Sequence, residues 1–286
     1  MKRGVIAVLI SAVCFATLGI FTKLLASDIS AFSVITFRLL IATAFFFFLA
    51  LLIKKKIKIK KNDLKFFIPY AFIGIFISMA AYIMAFYYTS VANAIFFLFT
   101  YPVITVILAA IFLKERITKI KTVAMVLGLI GVILLFAFQK NVSLTSNDFI
   151  GCMLALITAF AFSFYLIMTR WSTRPFYTEV SWGMLLGFLF TLPLFFLFGE
   201  PSTILSLELM GWLYLIGIGL IGTAGAYVFL DYAEDYIEAS TASLLGLLQA
   251  VIAVILAFLI LNEVPEIHTI VGGAFIILAG ILALKG

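Results

Sequence analysis

The densest run of chemistry-bearing side chains is Asp231-Tyr232-Ala233-Glu234-Asp235, followed by Glu238. Carboxylates four residues apart share a helix face and could hold Mg2+ against a diphosphate, as intramembrane prenyl transfer requires. That chemistry needs a second acidic cluster elsewhere in the chain, and none is present. The run therefore reads as a solvated acidic loop at the end of a helix, and the chain is not expected to be an enzyme. His268 is the only histidine, which excludes paired-histidine haem ligation, a zinc-protease pair and a histidine relay. Cys14 and Cys152 both fall in apolar stretches and read as small buried hydrophobes. No metal and no cofactor are expected, and no phosphate-binding loop is present through which ATP could act directly.

Three further charges stand out by position. Arg38 lies inside an apolar stretch that begins near Ala31, on the order of 10 Å down a helix at 1.5 Å per residue. Guanidinium keeps its proton, and a charge at mid-span costs at least about 2.5–3.5 kcal/mol by insertion scales unless it finds partners. Either backbone carbonyls or a carboxylate such as Asp28 compensate it structurally, or it faces a cavity and takes a carboxylate or phosphate with a two-pronged hydrogen bond. Glu115, in Lys114-Glu115-Arg116, and Glu263, after Asn262, sit at helix ends. Pairing or capping of neighbouring helices is expected of both rather than proton carriage. Every acidic residue maps to a helix end or loop, so uniport or exchange is favoured over proton drive.

The elements that position these residues follow from composition. Of 286 residues 65% are hydrophobic and 11% charged, too few charges to cover a water-soluble surface. Lipid must cover the rest, and only helices and closed barrels satisfy their backbone there. Barrel alternation is absent. Segments of about 20 apolar residues, the length needed to span the hydrocarbon core, fall at 4–25, 31–53, 66–88, 92–113, 119–139, 150–170, 178–198, 209–231, 239–261 and 266–284. The first has no cleavage site and is expected to stay. Basic residues mark the cytoplasmic side: the run from Lys54 to Lys61, with Lys2, Arg3, Lys114, Arg116, Arg170, Arg174 and Lys285, places both termini there, while Lys23 and Lys140 fall opposite. The net charge of +6 is an orientation signal, not a nucleic-acid footprint.

The chain also repeats itself. Shifting Gly4–Lys23 by 147 positions pairs Gly4 with Gly151, Leu9 with Leu156, Ser11 with Thr158, Phe15 with Phe162, Thr22 with Thr169 and Lys23 with Arg170. The match continues with Gly74, Ala81, Tyr82 and Tyr87 against Gly219, Ala226, Tyr227 and Tyr232, then Glu115 against Glu263 and Gly131 against Gly280. Residues 1–140 and 148–286 are thus two five-helix repeats. Because five is odd, the second enters the membrane from the opposite side. Such an inverted pair can pack in two related ways, one opening inward and one outward, which is alternating access.

These residues resemble the drug/metabolite transporter superfamily, ten-helix EamA type, over essentially the whole chain. The marks are Arg38 in TFRLLIA, the stretch TYPVITVILAAIFLKERIT with Pro102, Glu115 and Arg116, then Gly128, Gly131, Glu263, Gly273 and Gly280. Where the family usually has a second proline matching Pro102, this chain has Ala250, so unequal flexing of the two halves is expected. The resemblance implies a cavity between the halves, lined by helices 1, 3, 4, 6, 8 and 9. It also implies secondary transport of a small metabolite across the cytoplasmic membrane, by facilitated diffusion, exchange or ion coupling. An arginine at this place in carriers of differently charged substrates implies a structural or gating role for Arg38, with Pro102, Glu115 and Glu263. Phe15, Tyr82, Phe97, Tyr101, Phe162, Ser163, Tyr227 and Gln249 are the candidates for holding substrate by stacking, cation–π contact and hydrogen bonds. The expected partners are that substrate and the lipid bilayer, with the chain as monomer or homodimer. An intramembrane prenyltransferase and a structural or sensory membrane protein are the alternatives.

Overall fold

The computed structural model describes residues 2–25, 28–54, 57–89, 91–136, 146–199, 201–261 and 264–285; Lys140 and Glu263 lie outside them. All regular structure among these residues is helical, in ten passes. Helix α1 is Lys2–Leu25 and α2 is Ala31–Leu52. Helix α3 joins Leu64–Pro69, Tyr70–Ile77 and Ser78–Tyr88, and α4 joins Val91–Leu98, Tyr101–Leu108 and Ala109–Leu113. Then come α5 (Lys119–Phe136), α6 (Ser146–Trp171) and α7 (Phe176–Phe198). Helix α8 joins Leu209–Gly219, Leu220–Gly225 and Ala226–Glu234, α9 joins Ala239–Gly246 and Leu248–Leu261, and α10 is Ile267–Ala283. Eight passes are long and apolar enough among the described residues to cross a bilayer. With α5 and the 17-residue α10 they form an integral multi-pass membrane protein.

The irregular turns recur at corresponding places in the first and last five helices. Tyr70–Ile77 in α3 and Leu220–Gly225 in α8 are π-helical, wound one residue wider than α. Pro69 removes an N–H ahead of the first. In the second, Thr223 Oγ1 donates to the Ile218 carbonyl at 2.8 Å. Helix α4 breaks at Phe99-Thr100 just before Pro102, and α9 breaks at Leu247. The break in α9 needs no proline: Leu247 N–H turns to Leu244 O at 3.3 Å, and the Ser243 carbonyl it would otherwise take accepts from Tyr101 Oη at 3.1 Å. Ala250 in place of proline therefore leaves both helices broken.

The two halves interleave. Helix α3 packs on α6, α8 on α1 and α2, and α2 on α7. The small residues of α3 and α8 lie in these contacts: Gly74 abuts Tyr165, Gly219 abuts Ile41, and Gly222 abuts Leu18. Close approach is what their missing Cβ permits. Large apolar side chains such as Leu51, Phe112, Val123, Phe160, Phe196 and Ile270 face outward, where lipid covers them.

Helices α5 and α10 meet at a pair of glycines. A Cβ on Gly131 would sit 2.7 Å from Gly272 O, and one on Gly272 would sit 2.6 Å from Gly131 O. Backbone cannot yield as a side chain can, so Gly131→Ala and Gly272→Ala should each destabilise the protein by about 1–3 kcal/mol. Thermal unfolding in detergent reads this as a lowered midpoint. Gly273→Ala, whose Cβ meets only Val251 methyl groups beyond 3.7 Å, should leave the midpoint nearly unchanged.

Candidate functional site

A cavity of about 440 Å3 of empty space, counting its mouth, lies where α1, α2, α3, α4, α6, α8 and α9 converge. Phe15, Arg38, Tyr82, Tyr101, Phe162, Tyr227 and Gln249 line it, together with Leu18, Ser78, Met79, Leu98 and Thr158. Six of the eight substrate candidates are thus brought to one space. Phe97 is not among them: it packs with Ala85, Ala94 and Ala155, and the next residue, Leu98, faces the cavity instead. One residue is 100° of helix rotation, and the break at Phe99 hides the phase of α4 from periodicity. Ser163 is fully buried; its Oγ lies 2.9 Å from Tyr101 O and 2.8 Å from Ala159 O and accepts from Thr105 Oγ1 at 3.0 Å. It holds α6 to α4 and leaves no group for a ligand.

Four of the lining side chains also bound a second space. Phe15, Tyr101, Phe162 and Gln249 separate the main cavity from one of about 300 Å3 lined by Val8, Ser11, Leu230, Ala242 and Ser243. Their rings meet edge to face, Phe15 to Phe162 at 6.0 Å and Tyr101 to Phe162 at 5.2 Å. The second space lies toward the end of the bundle that carries Lys2, Arg3, Lys114 and Arg170, hereafter the basic end.

Arg38 takes neither of the structural partners expected of it. Its Nε donates to Thr223 Oγ1 at 2.6 Å, in the π-helical turn of α8, while Nη1, itself buried, has no hydrogen-bond partner among the described residues. The residue is 2% exposed and lines the cavity beside Tyr82 and Tyr227. No carboxylate lines that cavity. Among the described residues the guanidinium therefore has no ion-pair partner, and an anion beside it would gain roughly 1.5–3 kcal/mol per charged hydrogen bond.

Pro102 opens the second segment of α4 and places Tyr101 under the cavity. Glu115 closes the basic end. Lys114 adopts a left-handed conformation (φ 58°), which ends α4 and turns the chain. The Glu115 carboxylate then reaches the first turn of α9, accepting from Ala239 N at 2.9 Å, Ser240 N at 3.1 Å and Ser240 Oγ at 2.5 Å. Glu238, the residue ahead of that helix, makes no cap of its own. It pairs instead with Lys121 Nζ, which also donates to Ser240 Oγ at 2.9 Å. Glu115 thus caps a helix of the other half, satisfying orphan N–H groups at its positive end. Glu263, its counterpart in sequence, is outside the described residues.

The acidic run differs from the expected solvated loop. Helix α8 continues to Glu234, and one face of its last turn is buried, leaving Asp231 and Glu234 each 2% exposed. Glu179, one turn into α7, is 1% exposed and packs toward them. Asp231 Oδ1 accepts from Tyr165 Oη at 2.5 Å; among the described residues Asp231 Oδ2, Glu179 Oε1 and both Glu234 carboxylate oxygens have no hydrogen-bond partner. The nearby guanidinium of Arg170 donates to the Glu234 backbone carbonyl at 2.7 Å. An ionised carboxylate so placed costs several kcal/mol. Among the described residues no three His, Cys, Asp or Glu are arranged to hold a metal ion.

A helical membrane bundle with a central cavity between interleaved halves is a transporter architecture. The chain belongs to the EamA-like transporter family, which matches residues 2–137 and again 149–285. It is 29% identical to an uncharacterized transporter of Clostridium kluyveri, over 99% of this chain and 93% of that one. It is 26% identical to another of Archaeoglobus fulgidus, over 99% and 96%. A solved crystal structure superposes with a TM-score of 0.85 at 17% identity, covering 100% of this chain and 97% of that one, a likeness of fold.

The Glu115 cap predicts a measurable latch. Losing two or more charge-assisted bonds amounts to about 3 kcal/mol, more than a tenfold change in an opening equilibrium. With Cys14 and Cys152 replaced by alanine, a cysteine at Ala242 in the second space should react with polar thiol reagents at least tenfold faster in Glu115→Ala than in the parent. Equal labelling rates would show that Glu115 does not hold the basic end shut.

Proposed function

We propose that this membrane transporter carries a small amphipathic anion, a carboxylate or phosphate monoester on an apolar body, by alternating access across the cytoplasmic membrane. The observation that carries the reading is Arg38: a permanent charge, 2% exposed, lining the central cavity, with its Nη1 buried and without a hydrogen-bond partner among the described residues and no carboxylate among the cavity's lining residues. The rings of Phe15, Tyr82, Tyr101, Phe162 and Tyr227 suit an apolar body, and Gln249 supplies an orienting amide. The anion completes a charge that is otherwise unpaired in a low-dielectric site, which makes its binding favourable.

Two five-helix repeats, 1–140 and 148–286, entering the membrane from opposite sides supply the motion. Their corresponding breaks in α4 and α9, and the cross-half cap at the basic end, support this. The many basic residues at that end assign it, and both termini, to the cytoplasm. On this reading the contacts of Glu115 and Lys121 with the start of α9 close the cytoplasmic end. The chain transports without an enzymatic step.

Proteoliposomes holding the purified chain should take up labelled phosphate monoesters or dicarboxylates, and not matched amines. The same anions should raise its thermal midpoint. Arg38→Gln should keep the fold and weaken that stabilisation by at least tenfold in concentration, with Arg38→Lys in between because the point charge remains without the fork. If Arg38→Gln folds and binds anions as the parent does, the anion reading is wrong; if amines are carried instead, the substrate class is wrong.

A further inference from the structure

The three buried carboxyl groups at the basic end are used by nothing described so far. Asp231 and Glu234 stand one turn apart on α8, and Glu179 faces them from α7. Four of their six oxygens meet no donor at 98% burial or more. A second, independent feature points the same way. The Tyr70 hydroxyl on α3 is fully buried with no hydrogen bond of normal geometry among the described residues; it lies beside Tyr165 and Thr169, within electrostatic reach of both Asp231 and Glu179, and the Tyr70 ring stacks on Tyr165 at 5.4 Å. Buried acids that cannot be paired stay neutral by holding protons.

The pocket of carboxyls is joined to the cavity. Tyr227 lines the cavity, its ring meets Tyr165 edge to face at 5.0 Å, and Tyr165 Oη donates to Asp231. Asp231 is thus linked to the cavity lining through Tyr165 and Tyr227. Arg170, Arg174, Asp235 and Glu115 surround the others and mark the way to the basic end. The remaining groups around the site are Thr169 on α6, Ser172 beside Glu179, and Arg3 of α1 against Tyr232 on the outer face of α8. None of the cations forms an ion pair with Asp231, Glu179 or Glu234 among the described residues.

We propose that Asp231, backed by Glu179 and Glu234, is a proton-carrying site that couples substrate movement to proton movement. A proton enters from the cavity past Tyr227 and Tyr165 and binds Asp231 at Oδ2. It leaves by Glu179 or Glu234 at the basic end when the Glu115 latch opens, so only O–H bonds form and break and no other reactant is required. Coupling rests on the transport reading above; the proton site itself does not.

Two measurements on the full chain separate these. Infrared difference spectra of the purified protein, recorded without substrate as pH is raised, should show the carbonyl stretch of a protonated carboxyl group, shifted in D2O and lost at alkaline pH. Asp231→Asn should remove the largest part of that band. In proteoliposomes, a pH gradient should drive accumulation of a labelled phosphate monoester at least tenfold, and Asp231→Asn should make the remaining flux indifferent to the gradient. Should Asp231→Asn fail to fold, Tyr165→Phe removes one hydroxyl and should shift the pH at which the band disappears. A chain that carries nothing but shows the titrating band keeps the proton site and loses the transport reading. Absence of the band, a band that never titrates, or one unchanged in Asp231→Asn, or in Tyr165→Phe where that variant stands in for it, overturns the proton site; gradient-driven accumulation that survives Asp231→Asn overturns the coupling assigned to it.

Discussion

In hydrocarbon there is no water to take a hydrogen bond that the protein leaves unmade, and every feature of this molecule answers to that constraint. It dictates helices throughout, and it makes each departure from regular helix costly unless a side chain steps in. At the break in α9 the Ser243 carbonyl is taken by the Tyr101 hydroxyl, and in the wide turn of α8 the Ile218 carbonyl is taken by Thr223. The same two side chains reach the cavity or its charge: Tyr101 lines it and Thr223 holds Arg38. Irregular backbone and binding space coincide because both need the packing of several helices around them.

The constraint also explains how the halves are joined. Where bare packing suffices, glycines let backbones touch, as at Gly131 and Gly272. At the basic end, charge replaces packing: one carboxylate from α4 satisfies the first turn of α9, and one lysine from α5 satisfies the residue before it. Polar joints of this kind can be exchanged for water when the end opens, whereas interdigitated glycines and leucines cannot slide without leaving a void. The polar contacts between the halves gather at the basic end, and a close backbone contact joins α5 to α10.

The charges inside the bundle are sorted by sign. Arg38 stands alone above the aromatic floor and three acids stand together below it, with Tyr227 within reach of both Arg38 and Asp231. Neither side neutralises the other directly, since the contacts of Arg38 run to Thr223 and those of Asp231 to Tyr165. A permanent cation on the cavity and three buried acids are thus held apart, with Tyr165 and Tyr227 between them.

The sequence alone determined the solvent, the number and approximate placement of the helices and the internal repetition, because 20-residue apolar runs and matched polar positions are local patterns. It also pointed to six residues that line the cavity, among them the repeat-related pairs Phe15 with Phe162 and Tyr82 with Tyr227. Only tertiary structure decided the rest. Whether Phe97 or Leu98 faces inward depends on a helix break whose angle no periodicity carries. Whether Arg38 meets Asp28 or Thr223 depends on which helix of the other half lies beside it. Asp231, Glu179 and Glu234 look like interface acids by position, and they become a buried cluster because α8 ends against neighbouring helices instead of in water. Burial of a helix end is a property of its neighbours, and neighbours distant in sequence are what a linear pattern does not contain.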